Sequence, residues 1–121
     1  MKRLLAVLTA LVLTGCNSAQ SANGTEVDEP VTMADIKAMI GTPKAQTVES
    51  CKVLPVGKKA CGGPEGYVVY SSETITNEQA LLDAIYKYNE KAKEDAKTGI
   101  SNCQFIPEPK PQLKGGVCWI P

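Results

Sequence analysis

Five cysteines in 121 residues, with no histidine anywhere, constrain this chain more than any other feature. Four of them, Cys51, Cys61, Cys103 and Cys118, form an even set in a length that fits one small domain. As a disulfide framework they allow three pairings. Proximity favours the local one, Cys51–Cys61 with Cys103–Cys118. Each of these pairs flanks turn-rich sequence, Pro55 and Gly57 in the first loop and Gly115-Gly116 in the second. Loops of this size contribute about 3 kcal/mol each in the chain-entropy model, against about 5–15 kcal/mol for a whole domain. Other thiol chemistry fits less well. Zinc sites want ligands two to four residues apart, whereas these pairs are separated by nine and fourteen residues. No Cys-x-x-Cys redox motif occurs. Neither a metal nor a cofactor is expected.

The fifth cysteine has a different setting. Lys2 and Arg3 precede a ten-residue run, Leu4 to Leu13, broken only by Thr9. A positive start followed by a short apolar run is the pattern of a secretory signal. It is too short for a span, which needs about 20 apolar residues. Leu13-Thr14-Gly15-Cys16 then resembles the lipobox of bacterial lipoproteins. The resemblance implies cleavage after Gly15, a diacylglycerol thioether on Cys16 and, usually, an acylated (palmitate-type) new amine. Several acyl chains are physically sensible, because one myristoyl-sized chain holds a membrane only marginally. Asn17, where an Asp would imply inner-membrane retention in enterobacterial lipoproteins, implies an outer-membrane location facing the periplasm. Removing residues 1–15 leaves two more acidic than basic residues, so anionic headgroups add little and the acyl chains must do the holding.

Residues 16–31 are expected to be the lipidated Cys and a flexible tether. Asn17 to Pro30 is polar, holds one branched apolar residue and cannot offset its ordering entropy. A single disulfide-stapled domain over 32–121 should follow. Thr32 can cap a helix over 33–40, with Asp35 in its first turn and Gly41 and Pro43 beyond its end. The dominant helix is predicted over about 77–97. Thr76 and Gln79 make a capping-box pattern, Leu81, Ile85, Tyr88, Ala92 and Ala96 form an apolar stripe widened by Leu82, Asp83 and Lys87 offer an i,i+4 pair, and Gly99 is a natural C′ residue. Strands are expected at 66–71, with apolar residues on both faces, and at 51–54, 103–106 and 117–120. These elements give an α+β class, a small mixed sheet packed on one long helix and stapled by two disulfides.

Balanced charge excludes the basic footprint of a nucleic-acid binder. Without His, catalysis would need Ser–Lys or paired-acid chemistry, and Ser50 and Ser71-Ser72-Glu73 carry no activating motif. The expectation is therefore contact, not catalysis, with an envelope protein, peptidoglycan or a toxin as partner. Trp119 beside Cys118 is the candidate exposed aromatic anchor. An inhibitor or immunity-type alternative presents the Cys51–Cys61 loop to a hydrolase, with Lys58 or Lys59 entering an acidic pocket. Cys61-Gly62-Gly63-Pro64 reads as a tight turn into the next strand, or as an anion-holding nest. Together with the tyrosines and the two late cysteines it resembles small, uncharacterised cysteine-containing envelope proteins, a likeness that brings no activity with it.

Overall fold

The computed structural model describes residues 28–121; the expected signal, Cys16 and most of the tether lie outside that range. The first described element starts where the capping signal places it. Helix α1 spans Met33–Ile40, with the Thr32 hydroxyl accepting from the Asp35 N–H at 3.2 Å and the Thr32 N–H donating to Asp35 Oδ2 at 2.7 Å. Gly41, at φ 60°, closes the other end by donating to the Lys37 carbonyl at 3.0 Å. Two turns cannot be helical alone. Burial of Ile36, which has no accessible surface, holds α1 against the long helix.

That helix, α2, spans Glu78–Ala96. Its N-cap is Asn77, not Thr76: Asn77 Oδ1 accepts from the Ala80 N–H at 3.0 Å. Asn is the better capping residue, and it starts the helix one position later. Gln79 is thereby freed to donate to Asp83 Oδ1 at 2.9 Å, which replaces the expected Asp83–Lys87 pair. The i,i+4 pair of this helix is Lys91–Asp95 at 2.7 Å. Lys97 and Thr98 close the C-terminus with short-range bonds to the Glu94 and Asp95 carbonyls, so Gly99 is not needed in a left-handed conformation and does not adopt one. Leu81, Ala84 and Ile85 are buried, whereas Leu82 faces solvent.

Strands β1 (Cys51–Val56) and β2 (Gly66–Ser71) pair antiparallel, Cys51 opposite Ser71 and Val56 opposite Gly66. The sheet is covered on both faces, as the two-sided apolar pattern of 66–71 requires. Leu54, Val56, Val68 and Tyr70 pack with Ile36, Leu81 and Ile85 of the helices. Cys51 and Val69 pack on the other face with Ala45, Leu113 and Cys118. β1 runs through Pro55, where a break was expected. The register puts the Pro55 nitrogen on the outer edge, so its missing N–H costs no ladder bond.

The predicted strand at 103–106 does not form. β4 (Val117–Trp119) pairs instead with β3 (Gln112–Lys114) through Gly115 and Gly116, both at positive φ as a two-residue hairpin turn demands. The fold is α+β, with two antiparallel strand pairs in place of one mixed sheet. Residues 43–45 close the other side of β4: the Cys118 N–H donates to the Pro43 carbonyl at 2.8 Å, and the Ala45 N–H to the Gly116 carbonyl at 2.9 Å.

The disulfides are Cys51–Cys118 and Cys61–Cys103, which corrects the local pairing expected from proximity. Closure entropy grows only with the logarithm of loop length, so nearness along the chain is a weak constraint. Placement in the fold decides. The hairpin lays Cys118 over the sheet face that carries Cys51, with a Cα–Cα distance of 5.5 Å. Cys103 lies beside the β1–β2 loop, 5.4 Å from Cys61 by the same measure.

Candidate binding surfaces

Residues 57–65 connect β1 to β2 and contain the lysines singled out above. The bridge expected to close this loop on itself is absent, since Cys61 is tied to Cys103. Asn89 of α2 fixes the start of the loop. Its Oδ1 accepts from the Gly57 N–H at 2.8 Å and its Nδ2 donates to the Pro55 carbonyl at 3.2 Å. Those two groups lie two residues apart on the outer edge of β1, so the Asn89 amide imitates a neighbouring strand. Gly57, at φ 79°, leaves no room for a side chain: a Cβ there would sit 2.6 Å from Glu65 Oε2.

Further along, the Gly62 N–H donates to the Lys59 carbonyl and the Lys59 N–H to the Gly63 carbonyl, both at 2.9 Å. This is the tight turn that Cys61-Gly62-Gly63-Pro64 suggested. The Lys59 ammonium donates to Asn102 Oδ1 at 3.0 Å and to the Gln104 carbonyl at 2.8 Å, pinning the irregular segment after α2. Lys58 is exposed and lines a shallow depression with Lys59, Asp95 and Ile100. The two candidate lysines thus differ: one ammonium is engaged within the fold, the other faces solvent.

Trp119 sits on β4, 37% exposed. The Lys114 ammonium lies 3.3 Å from the centroid of its ring, a cross-strand cation–π contact. More exposed still is Phe105, at 78%, in the segment expected to be a strand; with Ile100 it is the most open apolar side chain described. Tyr67 ties this segment down by donating from its hydroxyl to the Ile106 carbonyl at 3.0 Å. Pro107, Pro109 and Pro111 remove the N–H groups that would have built a ladder.

Ser71, Ser72 and Glu73 are all engaged by backbone. The buried Ser71 hydroxyl accepts from the Glu73 N–H at 3.2 Å, and the Ser72 hydroxyl donates to the Ser50 carbonyl at 3.2 Å. Both carboxylate oxygens of Glu73 accept from the Gln46 N–H at 3.1 Å. The Ser50 hydroxyl, and then the Gln46 and Thr47 N–H groups, hold the Glu73 carboxyl below its ordinary range. The cluster secures the turn at 46–50 against the end of β2.

Among the described residues, no group of three or more Cys, Asp or Glu could hold a metal ion, and no helix is long and apolar enough to cross a membrane. A groove of about 360 Å³ runs along the outer edge of β2, with Ile40 and Pro43 on one wall, Ile120 on the other, Tyr67 and Val69 along its floor, and Lys37 at its rim. Nothing in the sequence pattern pointed to this groove, because its walls come from three separate segments. Asn89 and Glu73 were equally invisible, since each acts on backbone more than twenty residues away. No protein-family model, curated protein or solved structure matches the chain.

Proposed function

We propose that this chain is exported, moored to the bacterial envelope through lipid on Cys16, probed by its partners from the periplasmic side of the outer membrane, and active through contact, not catalysis. One count supports the reading. Two disulfides use four of the five cysteines, leaving Cys16, the residue at the lipobox-like position, without an internal partner to pair with. Structural disulfides persist mainly in oxidising compartments, and the apolar run before Cys16 supplies a route to one. The engagement of Ser71, Ser72 and Glu73 by backbone groups favours contact over hydrolysis.

The test is the N-terminus of the native protein. Mass spectrometry should find Cys16 as the first residue, carrying diacylglycerol and an acyl amide, and Cys16→Ser should move the protein from the detergent phase to the aqueous one. An intact, unmodified Met1 on native material overturns the assignment. A second reading, a hydrolase inhibitor using the 57–65 loop, draws on the exposed Lys58 and on the anchoring of that loop by Asn89 and by Cys61–Cys103. Unchanged rates of a panel of trypsin-like proteases at micromolar protein would end it.

A further inference from the structure

The outer edges of the strands are treated unequally. On β1, Cys51 donates to the Val48 carbonyl, Pro55 has no N–H to offer, and Asn89 takes up the Pro55 carbonyl and the Gly57 N–H, which leaves Val53 as the one residue there with both outward groups bare among the described residues. Beside β4, residues 43–45 supply the missing partner. β2 has no such cover. The Ser72 N–H bond to the Ser50 carbonyl and the pairing register turn the backbone groups of Ser50, Lys52, Leu54 and Val56 inward, toward β2. By the same alternation, the N–H and C=O groups of Tyr67 and Val69 face outward, and none has a backbone partner among the described residues. β2 also carries no charged side chain, proline or bulge, the usual devices that keep an edge from pairing.

This bare edge is the floor of the groove between α1 and the C-terminal end of β4. Two outward N–H groups and two outward carbonyls, spaced as in a strand, are complementary to one kind of occupant, an extended backbone. The half-buried walls, Ile40, Pro43 and Ile120, suit apolar side chains pointing alternately to the two sides. Lys37 is the one charged residue lining the groove and has no ion pair among the described residues, so it complements an acidic group.

We propose that β2 takes up an extended apolar segment of a partner protein as a third, edge-added strand, with a carboxylate of that segment meeting Lys37. Main-chain bonds to Tyr67 and Val69 supply affinity, and the two apolar walls supply side-chain selection. The proposal rests on the contact role argued above and names the chemistry of the partner.

The experiment uses the full lipidated chain in detergent micelles and a synthetic peptide, Ser-Val-Thr-Val-Thr-Val, with a free C-terminal carboxylate. Amide hydrogen exchange is read residue by residue, and binding by fluorescence anisotropy. The peptide should slow exchange at Tyr67 and Val69 in particular. A version N-methylated at alternate residues should fail to bind. Amidation of the C-terminus should weaken binding up to about fivefold, the scale of one exposed ion pair, and Lys37→Glu should weaken the carboxylate form by at least as much while leaving the amide form unchanged. Lys37 is exposed, so this variant is expected to keep both disulfides and its fold. No protection of Tyr67 and Val69 at millimolar peptide, or binding indifferent to N-methylation, overturns the proposal. So does a dimer in which both amides are already protected, which would give the edge to a second copy. A membrane-bound, Cys16-lipidated chain that shows no such protection removes this inference alone and leaves the anchored contact role standing.

Discussion

The Tyr70 hydroxyl donates to Glu78 Oε1 at 2.6 Å, tying the middle layer of the fold to the first turn of α2. Burial first, then the bond and charge of Glu78, push the phenol up to about 12. Its folded value lies above the ordinary 10, so its contribution to stability is complete below pH 10 and disappears as pH rises through about 12. Alkaline spectrophotometric titration should show one phenol ionising near 12 together with loss of the fold. Tyr70→Phe should abolish that late step and cost about 1–2 kcal/mol at neutral pH, read from urea midpoints.

Asn89→Ala should destabilise the domain by about 1–2 kcal/mol, because it strips partners from the Gly57 N–H and the Pro55 carbonyl. Hydrogen exchange at Gly57 should accelerate more than exchange in the middle of α2. Equal acceleration throughout would mean that Asn89 matters only to the helix.

The connectivity has a direct chemical test. Non-reducing peptide maps should yield Cys51 linked to Cys118 and Cys61 linked to Cys103. Removing the longer crosslink by the paired change Cys51→Ala and Cys118→Ala should cost about 4 kcal/mol in the chain-entropy model. Isolating peptides with Cys51 joined to Cys61 would refute this arrangement.

At the acid end, Glu73 gives the opposite sign to Tyr70. Its carboxyl is held below the ordinary 4.5 by the Ser50 hydroxyl and the Gln46 and Thr47 N–H groups. Its contribution is therefore complete above pH 4.5 and fades as pH falls through the lowered folded value. Glu73→Gln should flatten the stability curve below pH 4.5, and hydrogen exchange at Gln46 should rise in the variant at neutral pH.

What could be read from the sequence was local. Thr32 with Asp35, the span 33–40 and the strand 66–71 appear where short-range rules place them, because capping and alternation act within a few residues. The slips at the ends of α2 were a matter of one residue or one turn, whereas the larger errors, the disulfide pairing and the strand at 103–106, come from long range. Alternation in Cys103-Gln104-Phe105-Ile106 suggested a strand, yet the bonding partner that would make it one is missing and a disulfide and Lys59 hold the segment in place. The real partner of β4, Gln112–Lys114, contains a single apolar residue and gives no periodic signal. Gly115-Gly116 did carry the information. A two-residue glycine turn requires strands immediately on each side, and that rule, applied strictly, leads to 112–114 and 117–119. The groove and the clamps made by Asn89 and Glu73 depend on chain segments brought together only by the fold.

The Cys51–Cys118 bridge also sets how this domain answers a mechanical load. A pull applied between the N-terminal side and the last residue cannot unravel anything between the two bridged positions, because the covalent link bypasses both sheets and α2. Among the described residues, 28–50 and the three residues after Cys118 are the ones that can pay out, about 90 Å of chain at full extension. α1 is the element that yields, and everything behind the bridge stays as a closed ring.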